Sequence, residues 1–410
     1  MWNRTSGLIA AVNSTGTGHS YTTSSTLQNV TGNTSVPKGC LAVRFEEMEF
    51  VPWDNLDNIV TSEVENIARR VKDTLLFILF LIGGPANVIN MAVFYKQGLK
   101  ERVSLCLFAL SLADEIYLTQ AMFLYGEQLH VQFTTKERYG PIMRIMVNSN
   151  MVGFFGFCWV SQVLSAIIAS ERCLCVLSPL RFQDLLQTRT LAAIIATVYL
   201  VVVSIYFLVA TRYRIACVFD LSSGIDLYTG VTGEFYLNHE KLVNYLDSFV
   251  YGASIPGVVI IAVTTSTIIT AMKIRQAAAW RAGASSASGL SSSSSSLSSS
   301  PISPREVALT KMLIGTSVLF IVCVTPFALF RFVWFFLPEM DVGRRYHNLY
   351  LTGLWIAEPF SYVNSSFNIF VYYTMGSRYR ETFWALFGIT KREESRKTTC
   401  ITKSSKVFKE

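Results

Sequence analysis

The sequence predicts an all-α membrane protein: a seven-transmembrane helix bundle followed by a short amphipathic C-terminal helix. Three observations carry this. Hydrophobic residues make up 51% of the 410 residues and charged residues only 15%, against roughly 45–50% and about 25% in soluble domains. The apolar residues come in seven long blocks, each near the roughly 20 residues that a spanning helix needs. Lysine and arginine collect in alternate loops, the pattern that orients membrane helices.

Residues 1–70 are polar and rich in Ser, Thr and Asn, with N-x-Ser/Thr sequons at Asn3, Asn13, Asn29 and Asn33. They read as a glycosylated, mostly disordered tail outside the cell. No apolar stretch follows Met1, so the first membrane helix is expected to act as the targeting signal. The blocks then run Thr74–Phe94, Leu105–Tyr125, Ile145–Ser170, Leu191–Ala210, Ser248–Met272, Met312–Phe330 and Leu349–Met375. Within them the only charges are Asp114, Glu115 and Glu358. The lipid interior offers backbone groups no water, so helices are the economical reading.

Lys96, Lys100, Arg102, Arg181, Arg189, Lys273, Arg275, Arg281, Arg305 and Lys311 fall on one side, as do the basic residues after the last block. That side is expected to be cytoplasmic. Arg69, Arg70 and Lys72 beside the first block, and Arg344 and Arg345 before the last, argue the other way and are outnumbered. The membrane-spanning body is expected over 71–388, with a Ser-rich cytoplasmic loop at 276–304 and a tail at 389–410. The loop reads as a linker or as a phosphorylation platform. Beyond the last block, Phe383, Trp384 and Phe387 share a helical face beside Arg378 and Arg380, which suits a helix lying on the inner leaflet.

The net charge of +7 sits on no soluble domain, so nucleic acid is excluded as a partner. There is no C-x-x-C and no His/Cys cluster, which leaves metal-site chemistry without support. Cys40 and Cys217 are the two cysteines placed outside, and two in an oxidising compartment suggest one disulfide.

Polar groups inside lipid are costly and therefore candidates for function. Asn87, Asp114, Ser161, Asn364 and Asn368 form such a set. Asn87 reads best as interhelical hydrogen-bond glue. The others could offer oxygens to a small cation such as sodium at Asp114. Pro256 and Pro326 each remove a helical hydrogen bond and are expected to kink their helices. The kinks serve either as hinges or as packing irregularities.

Six features together resemble the rhodopsin-like (class A) G-protein-coupled receptors over roughly residues 71–390. They are Asn87 in Gly84-Pro85-Ala86-Asn87, Asp114 in Leu110-Ser111-Leu112-Ala113-Asp114, Glu171-Arg172-Cys173, Pro256, Cys323-Val324-Thr325-Pro326 and Asn368-Ile369-Phe370-Val371-Tyr372. The character is closest to peptide-type or divergent invertebrate chemosensory receptors. The resemblance implies an extracellular ligand, a heterotrimeric G protein, kinases and arrestin at the Ser-rich loop, membrane lipid, and no cofactor beyond a bound sodium ion. It implies a switch of Glu171, Arg172, Glu306 and Tyr372, in which Arg172 pairs with Glu306 at rest. The family's third-helix cysteine would fall near Val147 and is absent. Cys217 then stays free or takes Cys40, and the second is favoured. Val324 and Ile369 stand where the family has tryptophan and proline.

Phe154 occupies the place of the amine-receptor aspartate and Tyr362 that of the opsin lysine, which argues against both ligand classes. The expected pocket is Phe154, Phe155, Arg331, Trp355, Glu358 and Tyr362. Arg331 and Glu358 either meet a charged ligand or pair with each other. The expected function is receptor signalling on a peptide or small chemosensory ligand at the plasma membrane, with the N-terminus outside and the C-terminus in the cytoplasm. The rival is a transporter or channel using Asp114 and Glu358, which would predict an internal repeat that the sequence does not show. An intramembrane enzyme lacks its paired acids or His/Asp set, so no catalytic residue is expected.

Overall fold

The computed structural model describes residues 40–43, 59–134, 140–178, 187–220, 226–287, 304–337, 339–341 and 344–388. Asn3, Asn13, Asn29 and Asn33, the serine tract and the tail 389–410 lie outside these residues. In chain order the elements are β1 (Cys40–Val43), α1 (Ser62–Gln97), α2 (Arg102–Thr134), α3 (Pro141–Asn148), a 3-10 turn (Met151–Phe155), α4 (Gly156–Leu177) and α5 (Thr188–Ala210). Then come β2 (Tyr213–Asp220), β3 (Asp226–Thr232), α6 (Glu234–Asn238), α7 (Glu240–Asn244), a π-helical segment (Tyr245–Ser254), α8 (Ile255–Ala287), α9 (Pro304–Phe336), α10 (His347–Met375) and α11 (Ser377–Leu386).

Among the described residues, six stretches are long and apolar enough to cross a membrane: Ser62–Gln97, Arg102–Gln128, Met151–Leu177, Thr188–Ala210, Glu240–Ala279 and Val307–Phe336. α10 carries the seventh block and falls outside that set. It holds Glu358, Ser361, Asn364, Ser365, Ser366 and Asn368, all buried against the bundle. Polarity directed inward lowers its mean hydropathy without presenting a polar face to lipid. One large core, built on Leu76, Val93, Leu107, Leu118, Leu164, Tyr362 and Tyr372, joins α1, α2, α4 and α10.

α1 begins at Ser62, inside the stretch expected to be tail. The Thr61 hydroxyl caps it, accepting from Val64 N–H at 3.4 Å. Glu63 and Glu65 occupy the first turn, where the helix dipole favours acids. The helix stops at Gly98, whose φ of 101° lies where only glycine is at ease. At the other end of the expected loop 276–304, α8 continues as helix to Ala287 and α9 starts at Pro304.

The third block is not the single helix that its uninterrupted apolar run implies. Asn150 takes the left-handed conformation (φ 56°) that asparagine tolerates. This divides the block into α3, the 3-10 turn and α4. The freed Met151 carbonyl accepts from Gln120 Nε2 at 2.8 Å. Glu127 Oε2 accepts from the N–H groups of Ile142 (2.8 Å) and Met143 (3.2 Å) at the start of α3. A side chain on Gly153 would strike Phe207, so glycine lets the turn lie directly on α5.

Pro256 lies just inside α8, behind a π-helical segment that closes with Ile255 N–H on the Val250 carbonyl. A proline donates no hydrogen bond, and the chain before it is wound more loosely. Pro326 lies inside α9, and Pro85 and Pro359 lie inside α1 and α10.

A three-stranded sheet of order β1-β2-β3, absent from the sequence-based expectation, covers one end of the bundle. β2 and β3 form an antiparallel hairpin, and β1 joins β2 in parallel with Cys40 opposite Cys217. These two cysteines are disulfide-bonded. The pairing fastens residues 40–43 to a hairpin more than 170 positions later in the chain; the bond itself spans 177.

Candidate functional site

At the sheet end a cavity of about 380 Å³ opens between the helices. β2 contributes Tyr213 and Ile215 to its roof, and Tyr117, Phe155, Trp159 and Tyr206 line its depth. Of the six expected pocket residues, Phe155, Arg331, Trp355 and Glu358 line it. Phe154 does not. The 3-10 turn rotates it out of register with an α-helix, and its ring meets Phe207 at 5.2 Å and Phe157 at 6.1 Å. Tyr362 is fully buried one turn below Glu358, with its ring 5.5 Å from Tyr117. It lies outside the lining residues.

Arg331 and Glu358 do not pair with each other. Arg331 Nη2 donates to Asp247 Oδ1 at 2.8 Å and to the Asp247 carbonyl at 2.8 Å. Arg212 Nη1 donates to the other Asp247 oxygen at 2.9 Å, and Arg212 Nη2 reaches Asp341 Oδ2 at 3.3 Å. Two guanidiniums and two carboxylates thus balance along one wall, drawn from α5's end, the π segment, α9 and the loop after it. The planar fork of arginine suits such shared carboxylates. Asp247 precedes the uncharged run of the fifth block and Arg212 follows that of the fourth. The sequence analysis singled out neither, because a charge just outside an apolar run carries no sign of its partner.

The opposite wall holds Glu358. Its neighbour is Lys72 of α1, whose Nζ lies 4.0 Å from Glu358 Oε2 and 2.9 Å from Asp73 Oδ1. The same ammonium sits 3.2 Å from the Tyr125 ring centroid and 4.5 Å from that of Trp355. The Trp355 indole N–H donates to Glu65 Oε1 at 2.9 Å. Lys72 was counted with the loop charges because it precedes the uncharged block. Extending α1 back to Ser62 carries it into the bundle, where it is 1% exposed.

Where the resembled family links its third helix to this hairpin by a disulfide, the chain uses an amide. Asn148 Nδ2 donates to the Ile215 carbonyl at 2.9 Å, and Ile215 N–H donates to Asn148 Oδ1 at 2.8 Å. The side chain so mimics one rung of a ladder, next to Val147. The Arg144 guanidinium lies 3.7 Å from the Tyr228 ring centroid and adds a second link. Asn148→Ala is expected to remove about 1–3 kcal/mol, two net hydrogen bonds. Thermal unfolding of the purified protein measures it, and an unchanged midpoint would show the clamp to be dispensable.

Midway down the bundle, Asp114 is completely buried. Ser161 Oγ and Ser365 Oγ donate to its Oδ1 at 2.6 and 2.8 Å, and Asn368 Nδ2 donates to Oδ2 at 3.1 Å. Ser365, not Asn364, completes this shell, because one residue's step along α10 turns the side chain by about 100°. Asn364 is buried elsewhere in the helix packing. Asn87 acts as a brace, donating to the Ser365 carbonyl at 2.9 Å.

At the far end Arg172 is ion-paired with its neighbour Glu171, and Arg102 reaches Glu171 at 3.6 Å. Glu306 lies within α9, but its side chain is outside the described residues. Tyr372 is fully buried, edge-on to Phe94 at 5.3 Å and 5.6 Å from Tyr379. α11 is held to α1 by Tyr379 Oη donating to Asn90 Oδ1 at 2.6 Å and by Lys96 Nζ on the Ala385 carbonyl at 2.9 Å.

Comparison with curated proteins finds no significant match. A family model does match: the 7 transmembrane receptor (rhodopsin family) model covers residues 86–372, the region that holds the buried Asp114 shell, the Glu171-Arg172 pair and Tyr372. The chain belongs to the rhodopsin family of seven-transmembrane receptors.

Proposed function

We propose that this receptor binds an extracellular peptide or small chemosensory molecule in the cavity beneath the sheet and activates a heterotrimeric G protein at the Arg172 end. The supporting observation is the cavity itself: polar groups converge on an aromatic-lined chamber at one end of the bundle, the usual character of a ligand site. The N-terminal tail, with sequons at Asn3, Asn13, Asn29 and Asn33, lies outside the cell and the C-terminus lies in the cytoplasm. The Cys40–Cys217 bond is consistent with an oxidising compartment on the sheet side. Kinases and arrestin act on the Ser-rich loop, and Phe383, Trp384 and Phe387 of α11 rest in the inner leaflet. The deciding experiment is a G-protein activation screen in cells expressing the chain, against neuropeptide and small-molecule libraries. A saturable response absent from untransfected cells is expected. Failure of every G-protein class to respond, with the receptor verified at the cell surface, counts against the proposal.

A sodium ion is proposed to bind at Asp114, with the hydroxyl oxygens of Ser161 and Ser365 and the amide oxygen of Asn368 as further ligands. Exchanging choline chloride for sodium chloride at matched ionic strength is expected to raise the melting midpoint by about 2–4 °C. Asp114→Asn is expected to abolish that difference. An equal sodium effect in the variant would place the ion elsewhere.

A further inference from the structure

The Lys72 ammonium sits in a setting built for a cation. Tyr125 presents its ring 3.2 Å away and Trp355 4.5 Å away, both within the reach of cation–π attraction. Asp73 Oδ1 stands at 2.9 Å and Glu358 Oε2 at 4.0 Å. Two carboxylates therefore face this ammonium, and Arg69, which pairs with Glu65 at 4.0 Å, lines the cavity one turn earlier on α1. Glu358 is 7% exposed, and its Oε2 accepts no hydrogen bond from a described residue. Lys72, Asp73, Tyr125, Trp355 and Glu358 all line the cavity.

The occupant sits on a flexible stem. A lysine carries its charge on four methylene carbons, and Lys72 is buried beside the cavity that its own side chain helps to line. Rotation of that stem into the cavity is the route by which the cage would empty.

We propose that Asp73, Glu358, Tyr125 and Trp355 form an ammonium-recognition cage, that Lys72 fills it in the resting chain, and that a ligand bearing a primary ammonium group displaces Lys72 from it. This rests on the receptor reading above and narrows the ligand to an amine-bearing peptide or small molecule, held by carboxylates of α1 and α10 and not at the Phe154 position where amine receptors carry their aspartate. Lys72 acts as a built-in competitor. Ligand affinity falls by the fraction of time that the cage is self-occupied.

The test uses the full chain in lipid nanodiscs, with n-butylammonium as probe and thermal unfolding as readout. Lys72→Met empties the cage and keeps an apolar stem. The variant is expected to be stabilised saturably, at concentrations about ten-fold lower than the wild type requires. n-Butanol is expected to have no such effect, and adding Glu358→Gln is expected to remove the response. Should Lys72→Met fail to fold, Lys72→Gln takes its place. Equal or absent responses in the wild type and the variant overturn the proposal. So does a response that survives Glu358→Gln, or stabilisation of the wild type by butyrate in place of butylammonium. None of these readouts needs a G protein, so they stand or fall separately from the activation screen.

Discussion

Replacing Asp247 with alanine is expected to abolish surface delivery of the receptor. The carboxylate is the shared acceptor for Arg331 and Arg212, at 2.8 and 2.9 Å. Arg331 is 7% exposed and lies against Trp334, with its guanidinium carbon 4.4 Å from the ring centroid. Without Asp247, two guanidiniums remain in a confined wall with one carboxylate, Asp341, to balance them. Removing one partner from a buried ion pair costs about 3–5 kcal/mol, a large part of the 5–15 kcal/mol that holds a typical fold together. The surface fraction by flow cytometry and the melting midpoint in nanodiscs measure the effect. Asp247→Asn keeps an acceptor oxygen and is expected to fall between the two. The pair Asp247→Leu with Arg331→Met removes both charges and is expected to recover part of the loss. A wild-type midpoint for Asp247→Ala would mean that the wall is wet enough to solvate both arginines.

Arg172→Ala is expected to silence G-protein activation, at surface expression equal to the wild type. Arg172 lies at the end of α4 in an ion pair with Glu171, and Arg102 of α2 shares that carboxylate at 3.6 Å. Glu171 is therefore held from two sides, and Arg172 is held by one acid of its own helix. The proposed latch to Glu306 would be a second, weaker restraint at the boundary. An exposed pair is worth about 0–1 kcal/mol, small enough for ligand binding to open it. Glu306→Ala is accordingly expected to raise basal signalling several-fold, while Arg172→Ala removes both basal and stimulated signal. Unchanged basal activity in Glu306→Ala would reject the latch, and persisting activation in Arg172→Ala would reject the role of Arg172.

Most of the deep helical frame was legible in the chain. The uncharged runs around Leu76, Leu164 and Phe320 announce helices because lipid and helix packing impose one requirement, apolar side chains over about 20 residues. Asp114 was legible for the complementary reason: a carboxylate amid Leu and Ala needs partners, and Ser161 and Asn368 supply them. Periodicity reached its limit where the helix stopped being regular. The run from Ile145 to Ser170 looks continuous, yet Asn150 turns left-handed, and the resulting 3-10 turn carries Phe154 out of the cavity while Phe155 stays in.

The ends of the helices were harder to read, since charge there is ambiguous. Lys72, Arg212 and Asp247 all border an apolar run. A charged residue at such a border reads as an interfacial anchor until the neighbouring helix is placed. The strand Cys40–Val43 posed the same difficulty in another form, because its partner, β2, begins at Tyr213. Nothing local to either segment marks them as one sheet.

By itself, then, the sequence determined that the chain is a membrane bundle, which residues are too polar for lipid, and where the family's motifs fall, because each of these depends on composition or spacing along one helix. Only the tertiary structure decided which charges meet. It joined Arg331 to Asp247 and left Glu358 to Lys72, clamped Asn148 to Ile215 where a disulfide was missing, and chose Ser365 over Asn364 beside Asp114. The physical reason is common to all four. An ion pair or hydrogen bond is decided within an ångström or two and by the rotation of a helix about its axis, and that rotation is set by packing between helices.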